Sequence, residues 1–237
     1  MFYFLLGSCL GSFLCVIAER IPIKQPFIIS RSHCVHCKRT LKFWEMIPIF
    51  SFLLLNFRCR TCHKKIPITY FVTEILYGLI FVFSFNQSTT LECMITLYWL
   101  TIALLLSLTD VYYLIIEPKI FYPTHFILIA LLLYSHAHFY WESLLLYLFI
   151  CIIIALFLRN SMGMGDLLLL LFWIPWLTPL EVSQLLFFAS FTALITYCFI
   201  SITTSHEIKK LKLPFVPFLS LSLFIVHFLS LVVHETF

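Results

Sequence analysis

The two aspartates of the chain are the residues whose type and position most clearly indicate chemistry. They are Asp110 and Asp166, and each lies at one end of a long apolar segment. A carboxylate at the edge of a membrane span is costly unless it faces water or a partner, so its presence indicates a function. Two carboxylates that approach within a few ångströms hold one shared proton. The pair predicts an aspartic protease; position alone also allows ordinary helix-end residues, with Asp166 as an N-cap.

A glycine-rich stretch precedes the second aspartate. Gly163 and Gly165 flank Met164 directly before Asp166. Glycine lets a backbone approach another segment closely, so both residues are candidates for contact with an extended peptide substrate. In the predicted reaction an ionised carboxylate takes a proton from water, which attacks the scissile carbonyl while the protonated carboxylate polarises it. These residues together predict hydrolysis of a peptide bond.

Four cysteines indicate a second kind of site. They form the pairs Cys34-x-x-Cys37 and Cys59-x-x-Cys62, with 21 residues between the pairs. Two pairs of thiolates close a tetrahedron around Zn²⁺ and leave no open position, which predicts a structural zinc site. The segment that contains them is predicted below to lie in the cytosol, where thiols stay reduced and can bind a metal. The alternative is unpaired cysteines or a redox pair.

Composition excludes a water-soluble globule. The chain is 62% hydrophobic and 11% charged, with a mean hydropathy of +1.04, whereas soluble domains are about 45–50% apolar and about 25% charged. This predicts an all-α polytopic membrane protein with about eight transmembrane helices, seven being the alternative. Gly7 and Gly11 form a small-xxx-small pair that predicts a close helix contact in the first span. The predicted spans are residues 2–18, 67–85, 93–109, 120–134, 143–158, 167–177, 185–202 and 215–233.

Basic residues are concentrated between the first two spans. Residues 19–65 contain ten of the fifteen Lys and Arg but only two acids, and such blocks are typical of cytoplasmic loops. Nucleic-acid binding is not expected, because a short loop between spans explains this charge by orientation. With eight spans and the N-terminus outside, every Lys and Arg lies inside. The first span has its basic flank after the apolar run, unlike a secretory signal, so we expect it to be retained.

The predicted organisation follows from these spans. Residues 1–18 form the first transmembrane helix, and residues 19–66 form a small cytoplasmic four-cysteine insert that resembles a zinc ribbon. Residues 67–237 form a helical catalytic core in the cell membrane that contains both aspartates. The aspartates and the insert are both predicted at the cytoplasmic face of a multi-pass protein.

An ordered set of motifs extends along nearly the whole chain. Because of these motifs the chain resembles the type IV prepilin leader peptidases, of the short kind found in Gram-positive competence systems. The motifs are Gly11-Ser12-Phe13-Leu14, Ser32-His33-Cys34-Val35-His36-Cys37, Trp44…Ile47-Pro48, Arg58-Cys59-Arg60-Thr61-Cys62, Tyr70…Glu74, Asp110, Gly163-Met164-Gly165-Asp166 and Pro214-Phe215-Val216-Pro217-Phe218.

The resemblance implies an integral-membrane aspartic endopeptidase that uses Asp110 and Asp166. In this family the enzyme removes the short basic leader of prepilins or pseudopilins at the cytoplasmic face, and many members then methylate the new N-terminus with S-adenosylmethionine. Glu74 matches a glutamate of the family, and it is a candidate either for substrate binding or for hydrogen-bonded helix packing. The expected partners are prepilin-like substrates and the lipid bilayer, without nucleic acid.

The chain departs from the family pattern at three positions. Cys15 stands where Asn is frequent after Gly-Ser-Phe-Leu, Leu168 stands where Lys is frequent, and Glu117 precedes Pro118 rather than following a proline. None of these removes a predicted catalytic carboxylate, so proteolysis is still expected. Methylation, and with it the cofactor S-adenosylmethionine, is expected only if that second activity is retained.

Two other functions share part of this pattern. A protease of the presenilin or signal-peptide-peptidase kind would have Tyr before the first aspartate and a late Pro-Ala-Leu stretch, whereas this chain has Thr109 and Leu213-Pro214-Phe215. A zinc-stapled scaffold or transporter component is the non-catalytic alternative. Transporters often show polar groups near mid-bilayer or an internal repeat, and here the acids within the spans cluster toward one face.

Overall fold

The computed structural model describes residues 1–26, 32–85, 89–157, 163–203 and 213–236, and these residues contain helices but no β-strand. Two 3₁₀ turns, Phe43–Met46 and Ile174–Trp176, accompany the α-helices. The helices are α1 (Phe2–Arg20), α2 (Phe50–Leu54), α3 (Ile68–Ser84), α4 (Thr90–Tyr113), α5 (Pro118–Tyr134), α6 (Trp141–Phe157), α7 (Met164–Trp173), α8 (Pro179–Thr203) and α9 (Val216–Thr236).

Each of the eight predicted apolar segments corresponds to a helix, and α2 is an additional short helix inside the insert. Three helices, α1, α4 and α8, are long and apolar enough to cross a membrane, while the other apolar helices are shorter over their described residues. The all-helical, membrane-type fold is therefore confirmed, and the number of crossings stays a prediction. Five residues used in the charge argument lie outside the described ranges: Arg31, Arg159, Lys209, Lys210 and Lys212.

The chain forms two compact units, Met1–Thr101 and Ile102–Phe237. In the first unit α1 packs directly on α3 through glycine. A Cβ added to Gly7 would lie 2.7 Å from Phe81 Cβ, and one added to Gly11 would lie 2.9 Å from Tyr77 Cβ. Both distances are too short for a real contact, so only glycine permits this approach of the two helices. The predicted small-xxx-small contact is confirmed.

The second unit has a buried aromatic and aliphatic core around α7. The indole N–H of Trp173 donates to His125 Nε2 at 3.1 Å, and His125 Nδ1 is 2.9 Å from the carbonyl of Phe121. The imidazole is completely buried, and both of its nitrogens have partners. His125 therefore joins α5 to α7 as a packing residue. Helix α7 contains Asp166 in its first turn.

Candidate active site and metal centre

Asp110 lies in the last turn of α4 and is buried, with 7% of its surface exposed. The predicted span ended at residue 109, but the helix continues to Tyr113, so Asp110 is inside the helix. The backbone N–H of Val216 donates to Asp110 Oδ2 at 3.0 Å, and the N–H of Phe215 is a second backbone donor. Val216 begins α9, and N–H groups at a helix start have no partner within the helix. The start of α9 thus caps this carboxylate.

Two serines hold α9 in this position. Ser107 Oγ lies 2.5 Å from Ser220 Oγ, and the Ser220 hydroxyl donates to the carbonyl of Ala103 at 2.9 Å. Ala103, Ser107 and Asp110 are spaced so that they lie on one face of α4. Sequence reasoning missed the serines. The sequence did contain one signal for them: Ser107 lies three residues before Asp110, a spacing that places both side chains on the same face of a helix.

Asp166 is in the first turn of α7, which begins after Gly163. The backbone N–H of Gly163 is a hydrogen-bond partner of the Asp166 carboxylate. A Cβ added to Gly163 would lie 3.0 Å from Asp166 Oδ2, so a larger residue would press on the carboxylate. Gly163 itself is exposed, and any role of its backbone in substrate binding stays a prediction.

Gly165 makes a different contact. A Cβ added to it would lie 3.1 Å from Ile116 Cδ1, in the connection between α4 and α5. That connection starts at Leu114, which has a left-handed backbone (φ 55°) and ends α4 sharply. The close approach that the glycines predicted thus occurs within the chain at Gly165. It brings the end of α4 against the start of α7.

The structure brings both aspartates into one unit and into electrostatic range. The charge of Asp110 acts directly on the Asp166 carboxylate, and the two negative charges repel each other. Tyr147 of α6 donates its hydroxyl proton to the carbonyl of Leu167 and so holds the first turn of α7. Two carboxylates whose charges act on each other can divide the roles of general acid and general base at a carbonyl.

Glu74 lies in the other unit, on α3, and only 3% of its surface is exposed. The backbone N–H of Ile49 donates to Glu74 Oε2 at 2.8 Å, and the side chain of Ser12 is a further hydrogen-bond partner. The carboxylate therefore links α1, α3 and the insert. This arrangement supports the packing role that the sequence left open for Glu74, and a substrate contact stays a prediction.

The four cysteines of the insert form one cluster. All four Sγ atoms lie within 4.8 Å of one another, and the pairs Cys34–Cys62 and Cys37–Cys59 are each separated by 3.9 Å. A regular tetrahedron of sulfurs about 2.3 Å from zinc has edges of about 3.8 Å. The donor set and its spacing therefore fit a tetrahedral thiolate site for Zn²⁺ that is closed to other ligands.

The two cysteine pairs have the same backbone geometry. Cys34 N–H donates to the carbonyl of Arg39, and Cys59 N–H donates to that of Lys64, at 2.9 and 3.0 Å. Lys38 and His63 have left-handed φ angles of 54° and 55°. Each pair is also closed by a single antiparallel bridge, His33 with Thr40 and Arg58 with Lys65. Two knuckles of this kind direct their sulfurs at a common point.

The surroundings of one cysteine, Cys59, favour its thiolate. Backbone hydrogen bonds from Cys62 and Thr61 lower the pKa of the Cys59 thiol to about 6. Since the thiolate is the metal ligand, a pKa below neutrality favours metal binding. For Cys62, although the backbone of Lys64 hydrogen-bonds to it, burial and the neighbouring sulfurs raise the pKa of the thiol to about 11. Arg39, beside the first knuckle, forms an ion pair with the buried Glu45 at 2.7 Å. This pair attaches the knuckle to the 3₁₀ turn Phe43–Met46.

Comparison with known proteins gives a consistent result across three organisms. A prepilin leader peptidase/N-methyltransferase of Myxococcus xanthus is 43% identical over 81 residues, 34% of this chain and 24% of the relative. One of the same name in Bacillus subtilis is 28% identical over 219 residues, 90% of this chain and 88% of the relative. A type 4 prepilin-like proteins leader peptide-processing enzyme of Escherichia coli is 32% identical over 124 residues, 43% of this chain and 46% of the relative.

The chain thus spans most of the Bacillus relative but less than half of the other two. No solved structure matches it. Two family models match in succession along the chain. The bacterial peptidase A24 N-terminal domain matches residues 5–88, which contain the cysteine cluster and Glu74. The type IV leader peptidase family matches residues 94–198, which contain both aspartates. The two matches together cover most of the chain, which belongs to the type IV leader peptidase family.

Proposed function

We propose that the protein is a membrane aspartic endopeptidase that removes the basic leader from type IV prepilins or competence pseudopilins at the cytoplasmic face. The observation that carries this proposal is the pair of carboxylates, Asp110 and Asp166, within electrostatic range in a chain of the leader peptidase family. The names of the relatives state the same class of substrate.

The hydrogen bonds support different roles for the two acids. Asp110 accepts from the N–H groups of Val216 and Phe215 at the start of α9, whereas Asp166 accepts from one backbone N–H, that of Gly163. Hydrogen bonds donated to a carboxylate favour its negative charge, and Asp110 accepts more of them than Asp166 does. Asp110 is therefore the ionised member of the pair, and Asp166 carries the proton.

The reaction then proceeds in two stages, each with two proton transfers. The Asp110 carboxylate takes a proton from water as the water oxygen bonds to the scissile carbonyl carbon, and the Asp166 proton moves to the carbonyl oxygen. The C–N bond breaks as the proton on Asp110 passes to the leaving amine, and the hydroxyl proton of the tetrahedral intermediate returns to Asp166. Both acids regain their starting states.

The zinc insert has a structural role in this proposal. The thiolates of Cys34, Cys37, Cys59 and Cys62 would hold one Zn²⁺, which supplies a cross-link between the two knuckles. An insert with little apolar core of its own depends on such a cross-link.

Methylation of the new N-terminus is suggested by the names of the relatives alone. At the positions that depart from the family pattern, Cys15 is fully buried in α1 and Leu168 is an apolar residue of α7. Neither supplies the polar side chain that is frequent at that position in the family, so leader removal is the activity that these residues support.

The test is the mass of a co-expressed pseudopilin with Asp110→Asn and Asp166→Asn made separately. Each variant should lower leader removal at least about 100-fold, the scale of general acid–base catalysis. The matched control is Glu142→Gln, which neutralises an exposed carboxylate and should cleave at the wild-type rate. Wild-type trimming by either Asn variant would refute the catalytic pair, and intact leader with the unaltered protein would favour the scaffold alternative.

A further inference from the structure

The insert contains a strained turn that is held by a buried carboxylate. Ile49 has φ 64° and ψ −52°, and the N–H of Phe50 donates to the carbonyl of Pro48 at 2.6 Å. These angles and this hydrogen bond define a γ-turn of the rare, strained kind, at a β-branched residue. The N–H of Ile49 is bonded to Glu74 Oε2. The strained turn is thus held by a contact with the apolar helix α3.

The position of that contact shows how deeply the insert reaches. Glu74 follows the first residue of α3 by six positions, which is about 9 Å along the helix axis. The Cα of Glu74 is also where α1 packs closely, since a Cβ on Gly11 would lie 3.4 Å from it. The turn at Ile49 therefore reaches the level at which α1 and α3 are in direct contact.

Helix α2 follows this turn and lies along the first turns of α3. The ring centroids of Phe52 and Phe71 are 5.7 Å apart, and those of Phe57 and Phe71 are 5.4 Å apart. Phe52 is buried, so one side of the segment is fully packed. Residues 43–55 therefore pack against the N-terminal part of the apolar helix α3.

The other side of the same segment is apolar and uncovered. Phe43 is 79% exposed and Leu54 is 75% exposed, while Trp44, Phe50 and Leu53 are each more than half exposed. An exposed cluster of large apolar side chains is typical of a surface that contacts a partner or a membrane. We call these five residues the apolar face of the insert.

Basic residues border the apolar face. Lys42 precedes it, with its ammonium 5.2 Å from the centroid of the Trp44 ring, and Arg58 and Arg60 follow it in the wall of a cleft that Trp44 also lines. Tryptophan and lysine are typical residues of the membrane–water interface, and clustered basic residues attract anionic headgroups. The same charges repel a basic leader peptide, so a lipid surface fits better than the substrate.

We infer that residues 43–55 are an interfacial anchor whose apolar face enters the cytoplasmic leaflet, with Lys42, Arg58 and Arg60 at the level of anionic headgroups. The anchor places the two cysteine knuckles directly at the membrane surface. This inference concerns the first unit alone and does not depend on the identity of the protease substrate.

The test uses the full-length protein in nanodiscs that contain anionic lipid, with and without brominated acyl chains. Leu54→Trp adds an indole on the apolar face, and Val35→Trp adds one at an exposed apolar position inside the first knuckle. Relative to the unaltered protein, the fluorescence gained in Leu54→Trp should fall by about half in brominated lipid, because interfacial indoles contact the acyl chains. The fluorescence gained in Val35→Trp should not change.

Leu53→Trp is the second variant in case Leu54→Trp does not fold, and the same loss of fluorescence is expected. If brominated lipid leaves the fluorescence of the indole at position 54 unchanged, as it should at position 35, the inference is overturned. The inference is also overturned if adding a pseudopilin abolishes the quenching at position 54 by brominated lipid, since the apolar face would then bind substrate. If the fluorescence of the indole at position 54 differs between nanodiscs with one copy of the protein and nanodiscs with two, and does not respond to brominated lipid, a second copy covers the apolar face and the inference is overturned.

Discussion

Each unit of the protein contains a buried carboxylate that accepts a backbone N–H from a segment remote in sequence, and the two arrangements differ in what lies nearby. Glu74 holds the turn at Ile49 and has Ser12 as its other partner. Asp110 holds the start of α9 but also experiences the charge of Asp166. The same kind of hydrogen bond thus serves packing in the first unit, whereas in the second it holds a carboxylate that we propose takes part in proton transfer with Asp166.

Neutralisation of the two kinds of carboxylate should separate these roles most strongly. Asp166→Asn removes the proton donor and should lower leader cleavage at least about 100-fold. Glu74→Gln keeps an oxygen that accepts the Ile49 N–H, so cleavage should fall less than about tenfold while thermal stability decreases. Cleavage assays and thermal unfolding in the same detergent measure both effects. A loss in Glu74→Gln as large as that in Asp166→Asn would remove the distinction between the units.

Loss of one metal ligand should affect only the first unit. Cys59→Ser removes the buried thiolate of the second knuckle, and we expect the protein to lose one equivalent of zinc and the insert to become sensitive to protease. Elemental analysis and limited proteolysis measure these changes. Cys198→Ser, at an exposed cysteine outside the cluster, is the control and should retain its zinc. Unchanged zinc content in Cys59→Ser would contradict the four-thiolate site.

The cap on Asp110 can be removed without changing a side chain of the catalytic pair. Val216→Pro deletes the N–H at the first position of α9, where helices tolerate proline well. Because a hydrogen bond to a charged group contributes about 1.5–3 kcal/mol, we expect cleavage to fall about tenfold or more. The acid limb of the pH–rate profile should also move to higher pH.

Val216→Ala keeps the N–H and is the matched control for that substitution. It should retain both the rate and the pH profile of the unaltered protein. Equal profiles for Val216→Pro and Val216→Ala would show that the start of α9 does not stabilise the charge on Asp110.

The smallest effect is expected at Gly165. A methyl group there meets Ile116 at 3.1 Å, so Gly165→Ala should shift the α4–α5 connection and lower cleavage a few-fold. The double variant with Ile116→Ala should recover most of the rate, because the obstructing side chain is removed. Gly163→Ala presses on Asp166 itself and should not be rescued by Ile116→Ala. Rescue of both glycine variants would argue against separate contacts.

The sequence predicted the composition of both sites but only part of their geometry. Asp110 and Asp166 stood out because acids are rare in apolar segments, and the cysteines because of their spacing. The serines at 107 and 220 were missed, since hydroxyls are common in apolar helices and their meaning depends on which helix faces them. The direction of the close approach at Gly165 was likewise not readable, because the spacing of glycines does not name the neighbour.

Local patterns by themselves determined the helical, membrane-type fold, the four-cysteine cluster and the identity of the two acids, since each depends on residue type and short-range spacing. Contacts between distant residues decided the rest. The bond from Val216 to Asp110 joins positions 106 residues apart, and the bond from Ile49 to Glu74 joins positions 25 residues apart. The packing of whole helices creates these contacts, and no local periodicity encodes which backbone N–H will meet a buried carboxylate.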